Sequence, residues 1–210
     1  ATSLGTGATE ATITASTAPT ASTASTAGTE SLIDPSLLAS ALITEADLGG
    51  IALALDDSTY TSGQDADHPL SDYASCNRAL DRSQAGGAAK RVLTTNPLLP
   101  EGIVASTATV FTSAEAASAV IDQMVANAQA CTSYTVSGAL TATVTITSAE
   151  RTKAGALIVE QVDTVGSSAE IQVYVDQVGD LVTTLEATPA TADPARLEQL
   201  LTARAAELPR

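Results

Sequence analysis

Few residues in this chain have side chains suited to chemistry. There are two cysteines, Cys76 in "YASCNRAL" and Cys131 in "AQACTSYTV", and a single histidine, His68. Cysteines so far apart match no zinc pattern, since structural zinc needs four ligands, usually in close pairs. A disulfide is the simplest role, and closing that loop is worth about 4 kcal/mol in the chain-entropy treatment. The alternative is two unpaired buried thiols of a reducing compartment. His68 lies in "DDSTYTSGQDADHPLSDY", among Asp56, Asp57, Asp65, Asp67 and Asp72. Calcium favours several carboxylate oxygens on a flexible loop, but this spacing is not that of an EF-hand. The segment reads as a solvated acidic loop without periodicity.

A serine hydrolase built on His68 lacks the G-x-S-x-G elbow that would present its nucleophile. A glycosidase needs two carboxyls in a cleft, and sugar platforms are scarce in a chain with no Trp, one Phe and four Tyr. The sequence therefore predicts no catalytic residue, no metal site and no cofactor, hence a protein that is not an enzyme. One binding candidate stands out. In "AEIQVYVDQV", Tyr174 lies between Gln172 and Asp176 on the face opposite Ile171, Val173 and Val175. That polar stripe predicts either a ligand-binding surface or a plain solvated sheet face.

Charge narrows the partners. The formal net charge is −15, from 24 acidic and 9 basic residues. Such a surface repels polyanions, so nucleic acid is excluded as a partner, and so is attachment to anionic lipid through protein charge. No apolar run approaches the length a membrane helix needs.

The elements that must position these residues are legible from caps and periodicity. Residues 1–31 hold 23 Ala, Thr or Ser, which leaves too little to bury to offset ordering entropy. They are expected to form a disordered spacer of about 30 Å average span. Residues 32–210 are expected to form one domain. Asp34-Pro35 starts a helix, and "TEADLGG" is a short turn ended by Gly49 and Gly50. "IALAL" (51–55) and "IVASTATVF" (103–111) are strand-like. Ser113 caps a helix whose stripe is Ala117, Val120, Ile121, Met124, Ala128 and Cys131. Strands are predicted over 140–147, 156–165, 169–178 and 181–187, the last two joined by a Gly179-Asp180 hairpin turn. Asp193-Pro194 starts a closing helix carrying Leu197, Leu200, Leu201, Arg204 and Leu208 on one side. The class is α+β: an antiparallel meander with helices on one face, after a disordered Ala/Thr/Ser-rich tail.

The order of these motifs carries a resemblance. "LLASALITEADLGG", a Cys in a polar segment, "VFTSAEAASAVI", a Cys at the helix end, "VYVDQVGDLVTTLEA" and a final helix are together similar to the PknH-like extracellular domain family. That family of actinobacterial sensor domains occurs on receptor kinases and as free-standing lipoproteins. Its type member has two disulfides lining a cleft, whereas this chain can form only one. The resemblance implies a signal-sensing role toward a small polar ligand or a cell-wall component. The spacer and the disulfide, which persists in oxidising compartments, independently predict an extracellular location. The domain is expected to be secreted, or anchored outside the cytoplasmic membrane by a lipid or a membrane helix upstream of residue 1. The competing expectation is a structural or protein-interaction module of the cell envelope with no small ligand.

Overall fold

The computed structural model describes residues 33–50, 52–60, 80–81, 83–95, 102–137, 141–189 and 193–210. The predicted spacer and Asp65, Asp67, His68, Asp72 and Cys76 lie outside the described residues. Helix α1 (Pro35–Leu38) is followed by a 3₁₀ turn at Glu45–Leu48, then β1 (Leu53–Tyr60), β2 (Ala85–Thr94) and β3 (Ile103–Phe111). Helix α2 (Ala114–Ala130) leads to β4 (Ser133–Ser137), β5 (Thr141–Arg151), β6 (Gly155–Thr164), β7 (Ser167–Val178) and β8 (Leu181–Ala187), and α3 (Pro194–Ala206) closes the fold. The strands form one antiparallel sheet in the order β1-β2-β3-β8-β7-β6-β5-β4. Helix α2 therefore carries the chain from β3 to the far edge, and the meander returns until β8 pairs with β3.

Local chemistry explains the ends of these elements. Ser113 Oγ accepts from the Ala116 N–H at 3.1 Å, and Asp193 Oδ1 accepts from the Arg196 N–H at 3.2 Å. Both are N-caps that satisfy helix donors with no partner within the helix. Gly179 opens the β7–β8 hairpin with φ of 64°, a left-handed conformation that a side chain disfavours. A Cβ on Gly155 would collide with the Val175 carbonyl, so only glycine lets β6 lie against β7 there.

The antiparallel α+β class is as expected, but helices cover both faces of the sheet. Successive strand residues point to opposite faces. Val173 and Val175 of β7 join Met124 and Ile121 of α2 in one core, while Leu185 of β8 joins Leu197 and Leu201 of α3 and Leu38 of α1 in the other. Tyr174, expected on a solvated outer face, is half-buried against the α1/α3 core, and Asp176 is only 8% exposed. Its carboxylate accepts from the Thr202 hydroxyl of α3 at 2.9 Å. The alternation in 169–178 is real, yet its polar side is matched by polar residues of α3.

Two further expectations change. Asp56 and Asp57 belong to β1, not to a loop, and their carboxylates meet Lys90 at 3.5 Å and Arg91 at 2.9 Å on β2. Strand β2 itself, "AGGAAKRVLT", has no counterpart in the sequence reading. Its Ala88 and Ala89 are fully buried.

One ion pair ties the 3₁₀ turn to the last helix. Arg204 of α3 makes two 2.8 Å hydrogen bonds to Asp47 and a third, of 3.1 Å, to the Leu42 carbonyl. Asp47 also accepts from the Thr44 N–H and hydroxyl. These donors, Arg204 first, hold the Asp47 carboxyl at about 2. A depressed carboxyl contributes stability that is complete above its unfolded value and is lost as pH falls through its folded one. Replacing Arg204 with Met should thus cost about 1–2 kcal/mol at neutral pH, allowing for partial solvent screening. The deficit should shrink between pH 4 and about pH 2, which urea titration at several pH values would show.

Candidate functional site: a groove beside α2

Helix α2 runs antiparallel to β5. Near its start the Arg151 side chain donates to Asp122 at 2.8 Å and to Ser118 at 3.1 Å, and near its end Gln129 donates to the Ala149 carbonyl at 2.9 Å. Its apolar stripe, Ala117, Val120, Ile121, Met124 and Ala128, is buried as the spacing predicts. Cys131 follows at the C-cap, 4% exposed. No cysteine among the described residues is a free thiol.

The helix lies over β5 to β8 and the end of β3, and leaves the β1–β2 side of the same face without a helix among the described residues. We call the strip of sheet face beside the helix the groove. At the start of α2 it holds a pocket of about 290 Å³ lined by Asp81, Gln84, Phe111, Val120 and Gln123, with Ala116 and Ala119 completing the helix wall. The floor is apolar through Phe111 and Val120. The rim is polar: Gln123 Oε1 accepts from the Asp81 N–H at 2.7 Å, and Gln84 Oε1 accepts from the Thr112 hydroxyl at 2.8 Å. One pleat from Phe111 on β3, the Thr109 hydroxyl is fully buried and has no hydrogen-bond partner among the described residues. A buried hydroxyl without a partner has given up its hydration for nothing in return.

Beyond the end of α2 the same face becomes acidic. Cross-strand partners share a face. Glu186 is opposite Val173, and Glu160 is opposite Ile171, so both carboxyls face the α2 side. Tyr134 of β4 joins them and hydrogen-bonds to Glu160. Burial, then the charges of Glu160 and Glu186, push the Tyr134 phenol far above its ordinary range. Burial also raises the Glu186 carboxyl, while Lys90 pulls it partly back. Lys90 shares this face with Thr107 and Thr184, whose hydroxyls lie 2.6 Å apart. Two desolvated carboxyls beside a tyrosine and hydroxyls suit a ligand bearing an amine, amide or hydroxyl donors. They do not assemble a nucleophile and base, and among the described residues no three metal-ligating side chains meet.

The sequence-predicted candidates are elsewhere. Gln172, Tyr174 and Asp176 share a face, and the Tyr174 hydroxyl donates to Gln172 Oε1 at 3.0 Å, but this is the α3 side of the sheet. The groove residues escape sequence reading because they come from β2, β3, β4, β6 and β8, and only strand order brings them together. One signal was available: Glu160 and Glu186 are the charged residues within the uncharged runs "ALIVEQV" and "LVTTLEA".

No protein-family model matches the chain, and no curated protein matches it. Among solved structures it is similar to the extracellular domain of PknH from Mycobacterium tuberculosis. The two are 13% identical, with a TM-score of 0.61 over 84% of this chain and 96% of that one. At that identity the likeness is one of architecture. The chain carries the fold of the PknH extracellular domain over nearly the whole length of that domain.

Proposed function

We propose that this is a non-catalytic extracytoplasmic domain that senses or binds a small polar ligand in the groove beside α2. Support comes from the fold it shares with an extracellular domain, and from the groove itself. An apolar floor with a few convergent polar groups is the usual form of a small-molecule site. Residues 1–31 serve in this reading as a spacer from the envelope, and Cys76 pairs with Cys131 at the end of the helix that forms one groove wall. The ligand carries a cationic or strongly donating group for Glu160 and Glu186. Gln172, Tyr174 and Asp176 are not assigned to this ligand.

A protein-interaction module is the second reading, favoured by Leu53 and Leu55, which are 63% and 55% exposed on edge strand β1. The readings separate by calorimetry and thermal shift against amino sugars, short peptides and polyamines. Binding by the groove requires that Glu186→Gln weaken affinity about tenfold, the loss of one charge-assisted hydrogen bond, with little change in unfolding temperature. A panel giving no shift, or binding indifferent to both Glu186→Gln and Glu160→Gln, would refute the groove reading.

A further inference from the structure

The two edges of the sheet differ. Strand β4 is five residues long and carries no charge, whereas β1 is eight residues long and carries two adjacent acids, Asp56 and Asp57. Among the described residues β1 pairs with β2 on one side and with no strand on the other. An edge strand presents alternate backbone N–H and C=O groups outward, which makes it a template for a further strand. Leu53, Leu55, Asp57 and Thr59 are all exposed along β1, so this edge is open to solvent.

The side chains decide what kind of strand fits. On the inner side, β2 supplies two consecutive cations, with Lys90 3.5 Å from Asp56 and Arg91 2.9 Å from Asp57. Arg91 engages Oδ2 of Asp57, and half of that aspartate side chain stays exposed. An ionised carboxylate has room for about four hydrogen bonds, so it can accept from a second cation on the outer side. A second copy of this chain does not fit. Antiparallel pairing of all eight β1 residues with those of a copy sets Asp56 opposite Asp57, and like charges directly opposite are destabilising. Each copy also brings a net charge of −15. The register shift at Leu55 is a bulge that shortens the regular stretch available for self-pairing.

We propose that the outer edge of β1 docks an extended segment of a partner protein that carries two adjacent cationic residues. Asp56 and Asp57 are neighbours on a strand and point to opposite faces, so the cations that meet them must be neighbours too. The main chain of the docked segment continues the sheet beyond β1, and an apolar residue at one end packs on Leu53 and Leu55. Backbone hydrogen bonds supply the affinity and alternate side chains the specificity, as in other cases of strand addition. Strand β2 shows the pattern in "AAKRVLT", residues 88–94, which pairs with β1 and joins Lys90 and Arg91 to the apolar Val92 and Leu93. This docking gives the protein-interaction reading a partner chemistry and does not depend on the groove beside α2.

The test titrates the whole chain with three synthetic peptides: AAKRVLT, its counterpart with Glu in place of Lys and Arg, and a reordered peptide whose two cations are separated. Amide NMR should show AAKRVLT shifting β1 resonances and slowing hydrogen exchange of the outward-facing β1 amides, which a contact through side chains alone would not do. Affinity should fall about threefold on Asp57→Asn, the loss of one exposed ion pair, and about tenfold for the Glu peptide. The peptides need no altered protein, so the result stands even if a variant folds poorly. Ligands of the groove would shift resonances on the α2 side, so failure of either idea leaves the other intact. Equal affinity for all three peptides, shifts centred away from β1, or no saturable binding would overturn the docking. So would a dimer of the protein alone that Leu55→Lys dissolves, because the edge would then belong to a second copy.

Discussion

Replacing Leu201 with Ala is expected to lower the unfolding free energy by about 3 kcal/mol, within the range measured for fully buried leucines. Leu201 is 1% exposed and lies in the core formed by α1, α3 and the β2–β3–β8 part of the sheet. The cost has two parts, the lost transfer free energy of three carbons and the cavity they leave. Collapse around that cavity is limited. The neighbours are buried Leu and Ala on paired strands, and the half-buried Tyr174 is held by its hydrogen bond to Gln172. Denaturant titration would read the loss as a lower midpoint at unchanged slope. The control is Val165→Ala in the β6–β7 turn, where the side chain is fully exposed and the change should stay within about 0.5 kcal/mol. A Leu201→Ala effect as small as that of Val165→Ala would mean that α3 does not seal this core.

Where one face of an element repeats cleanly, the sequence was sufficient. The stripe from Ala117 to Ala128 and the Ser113 cap located α2, and Gly179-Asp180 located the last hairpin. Both are local signals, set by helix period and by the backbone conformation glycine allows. Strand β2 failed for the converse reason. "AGGAAKRVLT" is poor in β-branched residues, and its Lys90 and Arg91 are tolerable in a sheet only because Asp56 and Asp57 arrive beside them on β1. That neutralisation is tertiary, so the sequence revealed only the first residues of β1, in "IALAL", and nothing of β2. The error about Tyr174 has the same origin. A polar stripe reads as solvent-facing until one knows that Glu198 and Thr202 of α3 are polar at the contact. The groove was the least legible feature, since Glu160, Glu186 and Tyr134 are distant in sequence and meet only through the order β8-β7-β6-β5-β4.

Removing the Cys131 sulfur should have the largest effect of any single change. If Cys131 pairs with Cys76, the one other cysteine in the chain, Cys131→Ser releases the long loop between them and should cost about 4 kcal/mol. The serine also puts a hydroxyl where a 4%-exposed sulfur was, at the end of the α2 stripe, so part of the loss would be local. Three comparisons isolate the crosslink. Cys76→Ser should cost about as much as Cys131→Ser, and the double variant scarcely more than either, because a shared bond can be lost only once. Reductant should destabilise the unmodified protein by a similar amount and leave the variants unchanged. Thiol titration of the denatured, unreduced chain should find none. The effect would reach beyond stability, since α2 is one wall of the groove and Cys131 marks where that wall meets the acidic patch of Glu160, Glu186 and Tyr134. A variant that keeps its fold at low temperature should then bind groove ligands more weakly than its folded fraction explains. Two titratable thiols, or additive losses in the double variant, would show that the cysteines act independently and that the groove wall is held by packing alone.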